Sequence, residues 1–295
     1  MPSELNTDKS AIPVYGDNNS DNFDIEMDLL LHAIQQKYGY DFRNYSKAHL
    51  RRRIMHRLQL NGLSTISELQ NKVLWEKDFF RLLLQDLSIN VTEMFRDPDF
   101  YVVFREKIIP VLSTYAHIKV WHAGCATGEE VFSLAIILKE ENLLNRTRIY
   151  ATDFNKNVLE QAKQGIYKKQ DMELYSRNYA AAGGKGQLSD YYTAKYGSVM
   201  FDKSLSKNVV YADHNLVTDG VFAEVNLVFC RNVLIYFDKT LQNKVLHLFN
   251  DSLAKNGYLC LGTKESIRFT DLESSFTAID KKNKIYKKGA KPAND

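Results

Sequence analysis

Residues 118–135 read IKVWHAGCATGEEVFSLA. The stretch opens with a short apolar run typical of a buried strand and ends in apolar residues at helical spacing. Between them, Gly124 and Gly128 allow a tight turn at the carboxyl end of the strand, where α/β sheets bind cofactors. The stretch therefore predicts a strand, a turn and a helix of an α/β sheet. The dinucleotide pattern GxGxxG is absent, so an ordinary turn remains an alternative.

Further short apolar runs follow, with helical patterns between them. The runs RIYATD, NVVYAD, NLVFCRN and GYLCLGT have the length and composition of buried parallel strands. The helical patterns are NKNVLEQAKQG and DKTLQNKVLHLFNDSLA, and we expect Asn256 and Gly257 to close the second as a C-cap. This alternation predicts a doubly wound α/β sheet. The ending SFTAIDKKNKIYKK predicts an antiparallel hairpin at one edge of the sheet.

The regions around this pattern define the expected domains. Residues 1–22 are polar and predict a flexible leader, whereas residues 23–90 carry apolar residues at helical spacing and predict a small all-helical domain. We expect the α/β domain to occupy residues 91–290. Within it, residues 171–207 contain glycines, tyrosines and the run VMF, which predict an inserted subdomain of short antiparallel strands. An insertion of this length usually has a binding role.

The composition is that of an ordinary globular protein. Hydrophobic residues make up 44% of the 295 residues, and the net charge of +3 is too small for a protein that coats nucleic acid. No run resembles a signal sequence or a membrane span, so we expect a cytoplasmic monomer without membrane insertion. Cys125, Cys230 and Cys260 lie apart within apolar runs, which predicts buried, reduced thiols and no metal site.

Polar residues stand where the predicted parallel strands end, at one common edge of the sheet. Asp153 ends the second strand, Asn215 follows the third, and Arg231 and Asn232 follow the fourth. A carboxylate at such a strand end can accept both ribose hydroxyls of an adenosine-type ligand. Alternatively, Asp153 caps the helix that begins near Asn155. The glycine turn and Asp153 favour an adenosine ligand without choosing between NAD and S-adenosylmethionine.

Other polar residues near this edge also have structural alternatives. Glu130 and Thr127 fit a capping box, in which Thr127 caps the helix and Glu130 reaches back to its amide. The stretch INVTEMFRD carries Asn90, Thr92 and Arg96 just before the α/β domain. Taken alone, it is typical of a helix that Thr92 caps, followed by a solvated arginine.

The combination of SINVTEMFRD, WHAGCATGEEVFSLA, Asp153 and FCRNVLIYFDK resembles the chemotaxis receptor glutamate methyltransferases over about residues 24–288. The resemblance implies a Rossmann-like S-adenosylmethionine methyltransferase domain that forms glutamyl methyl esters on a chemoreceptor. It also implies that Arg96 and Tyr236 face the reacting methyl group. The residues that it implies for the S-adenosylmethionine site are Asn90, Thr92, Arg96, Glu130, Asp153, Asn215, Leu216, Arg231 and Asn232. Many relatives have alanine at Gly124, and we expect glycine to loosen the turn without abolishing binding.

The chemistry of such a reaction agrees with these residues. A glutamate carboxylate is ionised near neutral pH, so it needs no general base to attack a sulfonium methyl group. The enzyme must hold carboxylate, methyl carbon and sulfur in line, and a guanidinium such as that of Arg96 binds a carboxylate in a fixed geometry. Tyr236 could donate a hydrogen bond or present its ring edge, and the sequence leaves both open.

A basic segment, SKAHLRRRIMHRL, occupies residues 46–58 and has an apolar stripe on one face. Such charge usually marks a solvated surface helix. Between residues 43 and 57, however, six basic residues occur and no acidic one. We therefore expect Arg52, Arg53 and His56 to dock an acidic helical protein such as a chemoreceptor.

Rival functions make different demands on the sequence. An S-adenosylmethionine sensor or scaffold without turnover would keep the same pocket, and only an activity assay separates it from an enzyme. A methyltransferase acting on amino groups of nucleic-acid bases would carry an Asn/Asp-Pro-Pro-aromatic run, and an NAD oxidoreductase would carry GxGxxG. Neither pattern occurs in this chain.

Overall fold

The computed structural model describes residues 20–88 and 92–289. Residues 1–19 of the expected leader and the candidate Asn90 therefore lie outside the described residues, whereas residues 20–22, also expected in the leader, belong to a helix. By its internal contacts the chain divides into two compact units, Met1–Ile89 and Asn90–Asp295.

The described residues of the first unit form four helices joined by short connections, which confirms the expected all-helical domain. Its helices are α1 (Ser20–Tyr38), α2 (Lys47–Leu60), α3 (Ile66–Trp75) and α4 (Lys77–Leu87). The apolar stripe of α2 is buried as expected. A capping box of Thr65 and Glu68 starts α3. Arg57 joins α2 to α4 through Asp86, with Nε 2.6 Å from Oδ2.

The second unit combines strands and helices in the expected alternation. Its helices are α5 (Pro98–Lys107), α6 (Ile109–Leu112), α7 (Glu129–Glu140), α8 (Lys156–Gln164), α9 (Met172–Ala181) and α10 (Lys239–Ser252). Its strands are β1 (Ile118–Ala123), β2 (Thr147–Asp153), β3 (Ile166–Lys168), β4 (Tyr192–Lys195), β5 (Ser198–Phe201), β6 (Val209–Asp213), β7 (Val225–Cys230), β8 (Leu253–Leu261), β9 (Phe276–Asp280) and β10 (Ile285–Lys288).

A seven-stranded sheet with the order β6-β2-β1-β7-β8-β10-β9 forms the core of this unit. The strands from β6 to β8 pair in parallel, and β10 pairs antiparallel with both β8 and β9. The expected doubly wound sheet and its edge hairpin are thus confirmed. The chain builds β2 and β6 on one side of β1 and then crosses to β7 on the other. In such sheets, ligands bind beyond the carboxyl ends of the strands at this reversal, here β1 and β7.

The expected C-cap at Asn256 and Gly257 is wrong. Helix α10 already ends at Ser252, and both residues lie within β8. The pairing with β7 shifts between Val225 and Leu227, and the extra residues of this bulge, which include Asn256 and Gly257, lie on β8. Asn256 has a left-handed φ of 63° within this bulge. The Asn-Gly pair therefore distorts a strand instead of ending a helix.

A second, three-stranded antiparallel sheet has the order β3-β5-β4. It confirms the small β-subdomain expected from the inserted stretch. Its first strand, β3, begins at Ile166, upstream of the predicted start at residue 171. Helix α9 lies between β3 and β4 in the chain, so the subdomain contains a helix as well as strands.

Buried apolar side chains fill the second unit, and α7 is buried along Glu129–Leu138. The three cysteines are 2% exposed or less, which confirms their expected burial. None of the helices within residues 20–88 and 92–289 is long and apolar enough to cross a bilayer.

Close packing explains one glycine of the turn after β1. Gly128 precedes α7 with a left-handed φ of 91°. A Cβ atom there would lie 2.8 Å from Ala162 Cβ and 3.1 Å from its Cα, on α8. The turn therefore requires glycine for both its backbone angle and the approach of α8.

We expect Gly128→Ala to lower the free energy of unfolding by about 2 to 4 kcal/mol, through left-handed strain and overpacking together. Gly197→Ala is the matched control, because Gly197 has a similar φ of 76° but a Cβ atom added there would meet no atom within 4 Å. The Gly197→Ala variant should lose only about 1 to 2 kcal/mol of the free energy of unfolding. Urea unfolding followed by Trp121 fluorescence, in a Trp75→Phe background, measures both. Equal losses would contradict the packing explanation.

Candidate active site

The side chain of Arg231 lies at the centre of the candidate site. It follows β7 directly and is 1% exposed. Its Nη1 donates to Glu130 on α7, and its Nη2 donates to Asp97 Oδ2 at 2.9 Å and to the Arg96 carbonyl at 3.1 Å. The guanidinium lies over the Phe100 ring, 4.1 Å from its centroid. One cation thus joins the segment after β7, the start of α7 and the segment before α5.

Glu130 is a buried carboxylate surrounded by polar groups. Its Oε1 accepts from Arg231 and from the Tyr101 hydroxyl, the latter at 3.2 Å, and its Oε2 lies 3.1 Å from His122 Nε2. Burial alone would raise the pKa of Glu130, but the charge of Arg231 helps to lower it to about 2. Glu130 is therefore a fixed anion at neutral pH.

The capping-box alternative for Glu130 is wrong. Gly128 occupies the position before α7, where no side chain caps the helix. The Thr127 hydroxyl donates to Glu129 Oε2 at 2.6 Å instead. Because the left-handed glycine starts the helix one residue later than expected, Thr127 is not at the capping position, and Glu130 is left to pair with Arg231.

The segment that carries Thr92 and Arg96 is bent and anchored. Phe95 and Asp97, on either side of Arg96, have left-handed φ angles of 52° and 56°. Such angles persist only where the surroundings fix them. Here the Phe95 N–H donates to the Ser133 hydroxyl at 3.0 Å, and Arg231 holds the Arg96 carbonyl at 3.1 Å. The described part of this segment is not helical, so the alternative in which Thr92 caps a helix is wrong.

Asp153 binds the turn after β1 and does not cap α8. Its Oδ2 accepts from the Ala126 N–H and its Oδ1 from the Asn155 N–H, both at 3.0 Å. The cap of α8 is Asn155, whose side chain accepts from Asn157 N–H at 3.0 Å. Burial raises the pKa of Asp153, and these backbone hydrogen bonds oppose the shift. The helix-cap alternative for Asp153 is therefore wrong.

The remaining candidates lie at the same edge of the sheet. Asp213 pairs in register with Asp153, so the following Asn215 and Leu216 lie beyond the carboxyl ends of these strands. The Asn215 side chain accepts from the Val217 N–H at 2.9 Å, forming a local turn, and Leu216 is buried. The structure thus brings together the candidates at the strand ends.

Two side chains that the sequence analysis missed hold the segment after β7. The Gln242 Nε2 group on α10 donates to the carbonyls of Leu234 and Phe237 at 2.9 and 3.0 Å. Glu265, which is 4% exposed, accepts four backbone N–H groups. Its donors are Asn232 at 3.0 Å, Val233 at 2.8 Å, Ile235 at 3.3 Å and Gly262 at 2.6 Å. An acid soon after the last parallel strand, in LGTKES, was the available signal.

The candidate Tyr236 lies within this held segment. It ends a short 3₁₀ turn, Leu234–Tyr236, and its side chain is partly exposed. On the other side, the turn after β1 packs closely against the segment. Gly124 has a φ of 72°, and a Cβ atom there would lie 2.7 Å from Val233 Cγ2. We expected glycine here to loosen the turn. The structure shows that it also lets the turn pack against Val233.

The basic residues in and next to α2 differ in their exposure to solvent and in whether they form ion pairs. Arg52 and His56 are exposed, but Arg53 is half-buried and its Nε is shielded from solvent. Three neighbouring cations have acidic partners within the first unit. These pairs are Arg43 with Asp41, Lys47 with Asp28 and Arg57 with Asp86. Of the three predicted docking residues, Arg52 and His56 are the more exposed.

Two family models match this chain. The CheR methyltransferase, SAM binding domain, matches residues 90–285, and the CheR methyltransferase, all-alpha domain, matches residues 25–88. The chain belongs to the CheR methyltransferase family. The resemblance inferred from the motifs is thereby confirmed, and S-adenosylmethionine is the cofactor of this methyltransferase.

Three curated relatives match this chain over 84% or more of their own length. The Cher3 protein of Pseudomonas putida, named as a methyltransferase, is 52% identical over 267 residues, covering 90% of this chain and 98% of that one. The chemotaxis protein methyltransferase of Borreliella burgdorferi is 30% identical, with 88% and 94% covered. That of Escherichia coli is 27% identical, with 83% and 84% covered.

The residues at the strand ends fit this cofactor. Asp153 accepts backbone hydrogen bonds from Ala126, Asn155 and Phe154, which leaves acceptor capacity on its two oxygens for ribose hydroxyls. Arg231 Nε is buried and has no protein partner within the described ranges. Glu130, by contrast, already has three polar neighbours, so any contact with the cofactor would share its oxygens with them.

The neighbouring Glu129 is a buried acid with a raised pKa. It is 6% exposed, and burial raises its pKa from 4.5 to about 7. A raised pKa in the folded state means that Glu129 favours folding most below about pH 4.5. That contribution is lost as the pH rises through about 7.

We expect Glu129→Gln to remove the loss of stability that occurs between about pH 4.5 and 7, because glutamine cannot ionise. The variant should gain about 3 kcal/mol over the wild type in free energy of unfolding between about pH 4.5 and 8.5. Urea unfolding at a series of pH values measures this difference. Glu160→Gln on the exposed side of α8 is the control, since it removes the same charge without a buried carboxyl. A difference that stays constant with pH would contradict the role of Glu129.

Proposed function

We propose that this chain transfers the methyl group of S-adenosylmethionine to glutamate side chains of a chemoreceptor-like protein. The products are a glutamyl methyl ester and S-adenosylhomocysteine. The observation that carries the proposal is the buried Arg231 cluster at the sheet reversal. It holds Arg96 and the start of α7 beside the segment that carries Tyr236, so that elements far apart in sequence meet at one site.

The proposed chemistry requires positioning and no general base. S-adenosylmethionine supplies an electrophilic methyl group when bound. A substrate glutamate is ionised at neutral pH and can attack as it stands. The Arg96 guanidinium would orient that carboxylate through paired hydrogen bonds, and its anchored backbone supports this role. Glu130 pairs with Arg231 and not with Arg96. The positive charge of Arg96 would therefore be available to the substrate carboxylate.

The proposed partner is an acidic helical receptor. The relatives from Borreliella burgdorferi and Escherichia coli are named chemotaxis protein methyltransferases, which supports a receptor substrate for this chain. The exposed Arg52 and His56 on α2 support docking of an acidic surface. We place the reaction in the cytoplasm, where receptor signalling helices and S-adenosylmethionine meet.

A transfer assay tests the proposed reaction. Membranes from the source organism, incubated with the enzyme and radiolabelled S-adenosylmethionine, should gain label that mild base releases as methanol. Arg96→Lys should keep most of the affinity for S-adenosylhomocysteine, measured by calorimetry, but lower turnover about 10-fold or more, because lysine lacks the planar fork. Base-stable label, or no label with a cofactor-saturated wild type, would favour another acceptor or a sensor without turnover. A fully active Lys variant would contradict the orienting role.

The docking role of α2 makes a separate prediction. Arg52→Glu should raise the apparent KM for receptor several-fold at low salt, because charges at an interface rim act chiefly on association. The difference should shrink as ionic strength exceeds physiological values, where screening acts over about 8 Å. Lys77→Glu, at an exposed position of α4, is the matched control for the change in charge. Equal effects of the two reversals would show that only the total charge of the unit matters.

A further inference from the structure

The carboxyl group of Glu265 is buried, and its hydrogen-bond donors are backbone N–H groups. Its four N–H donors converge on the two carboxylate oxygens, and none of its partners in the described ranges is a lysine or arginine side chain. Hydrogen bonds to a carboxylate are among the stronger ones in proteins. A buried anion with such partners fixes the backbone that supplies them.

Three of these donors belong to one segment, Asn232–Ile235, and the fourth is Gly262 in the turn after β8. The two backbones are in close contact, since a Cβ atom on Gly262 would lie 2.8 Å from the Asn232 nitrogen. Asn232 also has a left-handed φ of 60°. Such a conformation is retained only when neighbours determine it. Glu265 and Gly262 are those neighbours.

The held segment continues directly into Tyr236. The Tyr236 N–H donates to the Val233 carbonyl at 3.2 Å, and the Phe237 N–H donates to the Leu234 carbonyl at 3.0 Å. Gln242 holds the carbonyls of the same turn from the other side. A displacement of the N–H groups bound by Glu265 would therefore move Tyr236.

We propose that Glu265 is a positioning residue for methyl transfer, which fixes Tyr236 through the backbone of residues 232–235. This inference rests on the proposed function, in which Tyr236 faces the reacting methyl group. Glu265 itself lies beneath the segment and acts only through it. In-line transfer without a general base depends on alignment, and a displacement of about 1 Å can lower a rate about 100-fold.

The test compares Glu265→Gln with the wild type in the transfer assay. Glutamine keeps the size but replaces one acceptor oxygen by an N–H₂ group, which cannot accept from the backbone N–H groups. We expect kcat to fall about 10-fold or more, with a smaller change in KM for S-adenosylmethionine, because alignment is lost more than binding. Glu273→Gln is the matched control, since Glu273 accepts one backbone N–H, from Phe269 at 3.0 Å, in the same connection. It should keep wild-type kcat.

Glu265→Asp provides a second variant if glutamine prevents folding. It retains the carboxylate on a shorter side chain, and we expect an intermediate kcat. Both variants are assayed below their unfolding midpoints, so that lost stability does not lower the rate. Tyr236→Ala completes a double-mutant cycle, and its effect on kcat should be smaller in the Glu265→Gln background than in the wild type.

The outcomes separate this inference from the proposed function. A wild type that forms no base-labile ester would overturn the proposed function. An active wild type and a folded Glu265→Gln variant with the same kcat would overturn the positioning role alone. Independent, additive effects of Glu265→Gln and Tyr236→Ala on kcat would also overturn it.

Discussion

The buried ion pair of Arg231 and Glu130 is the interaction on which the candidate site depends. Each charge is stable in the interior because the other is present, and removing one partner of such a pair typically costs about 3 to 5 kcal/mol. The same guanidinium holds the bent segment at Arg96 and Asp97. The pair therefore stabilises the fold and sets the position of the arginine proposed to bind substrate.

A second constraint is the close contact of three turns that follow β1, β7 and β8. Gly124 on one side and Gly262 on the other leave no room for a Cβ atom beside the segment after β7. Glu265 and Gln242 then bind the N–H and carbonyl groups of that segment. Hydrogen bonds between this backbone and two side chains, together with the close approach that the two glycines allow, hold the segment that leads into Tyr236.

The sequence predicted the architecture well because strand and helix periodicity are local properties. It placed Asp153, Arg231 and Asn232 at one edge, since parallel strands end together. It did not predict Glu265, three of whose four backbone N–H partners are about 30 residues away in sequence. The capping positions of Thr127 and Asp153 were wrong because left-handed residues and local turns moved the helix starts. The half-burial of Arg53 depends on tertiary packing, which spacing along a helix does not reveal.

The contacts of Arg231 also determine when the site can form. Its partners Asp97 and Glu130 precede it by 134 and 101 residues. Contacts of such long range form slowly, because a large chain loop must close before they contribute. During synthesis, Asp97 and Glu130 leave the ribosome well before Arg231 does. A nascent chain that ends before β7 therefore contains Asp153 and the glycine turn, which bind each other, but lacks the cation that pairs with Glu130 and holds the backbone at Arg96, so the complete site must await the synthesis of the segment after β7.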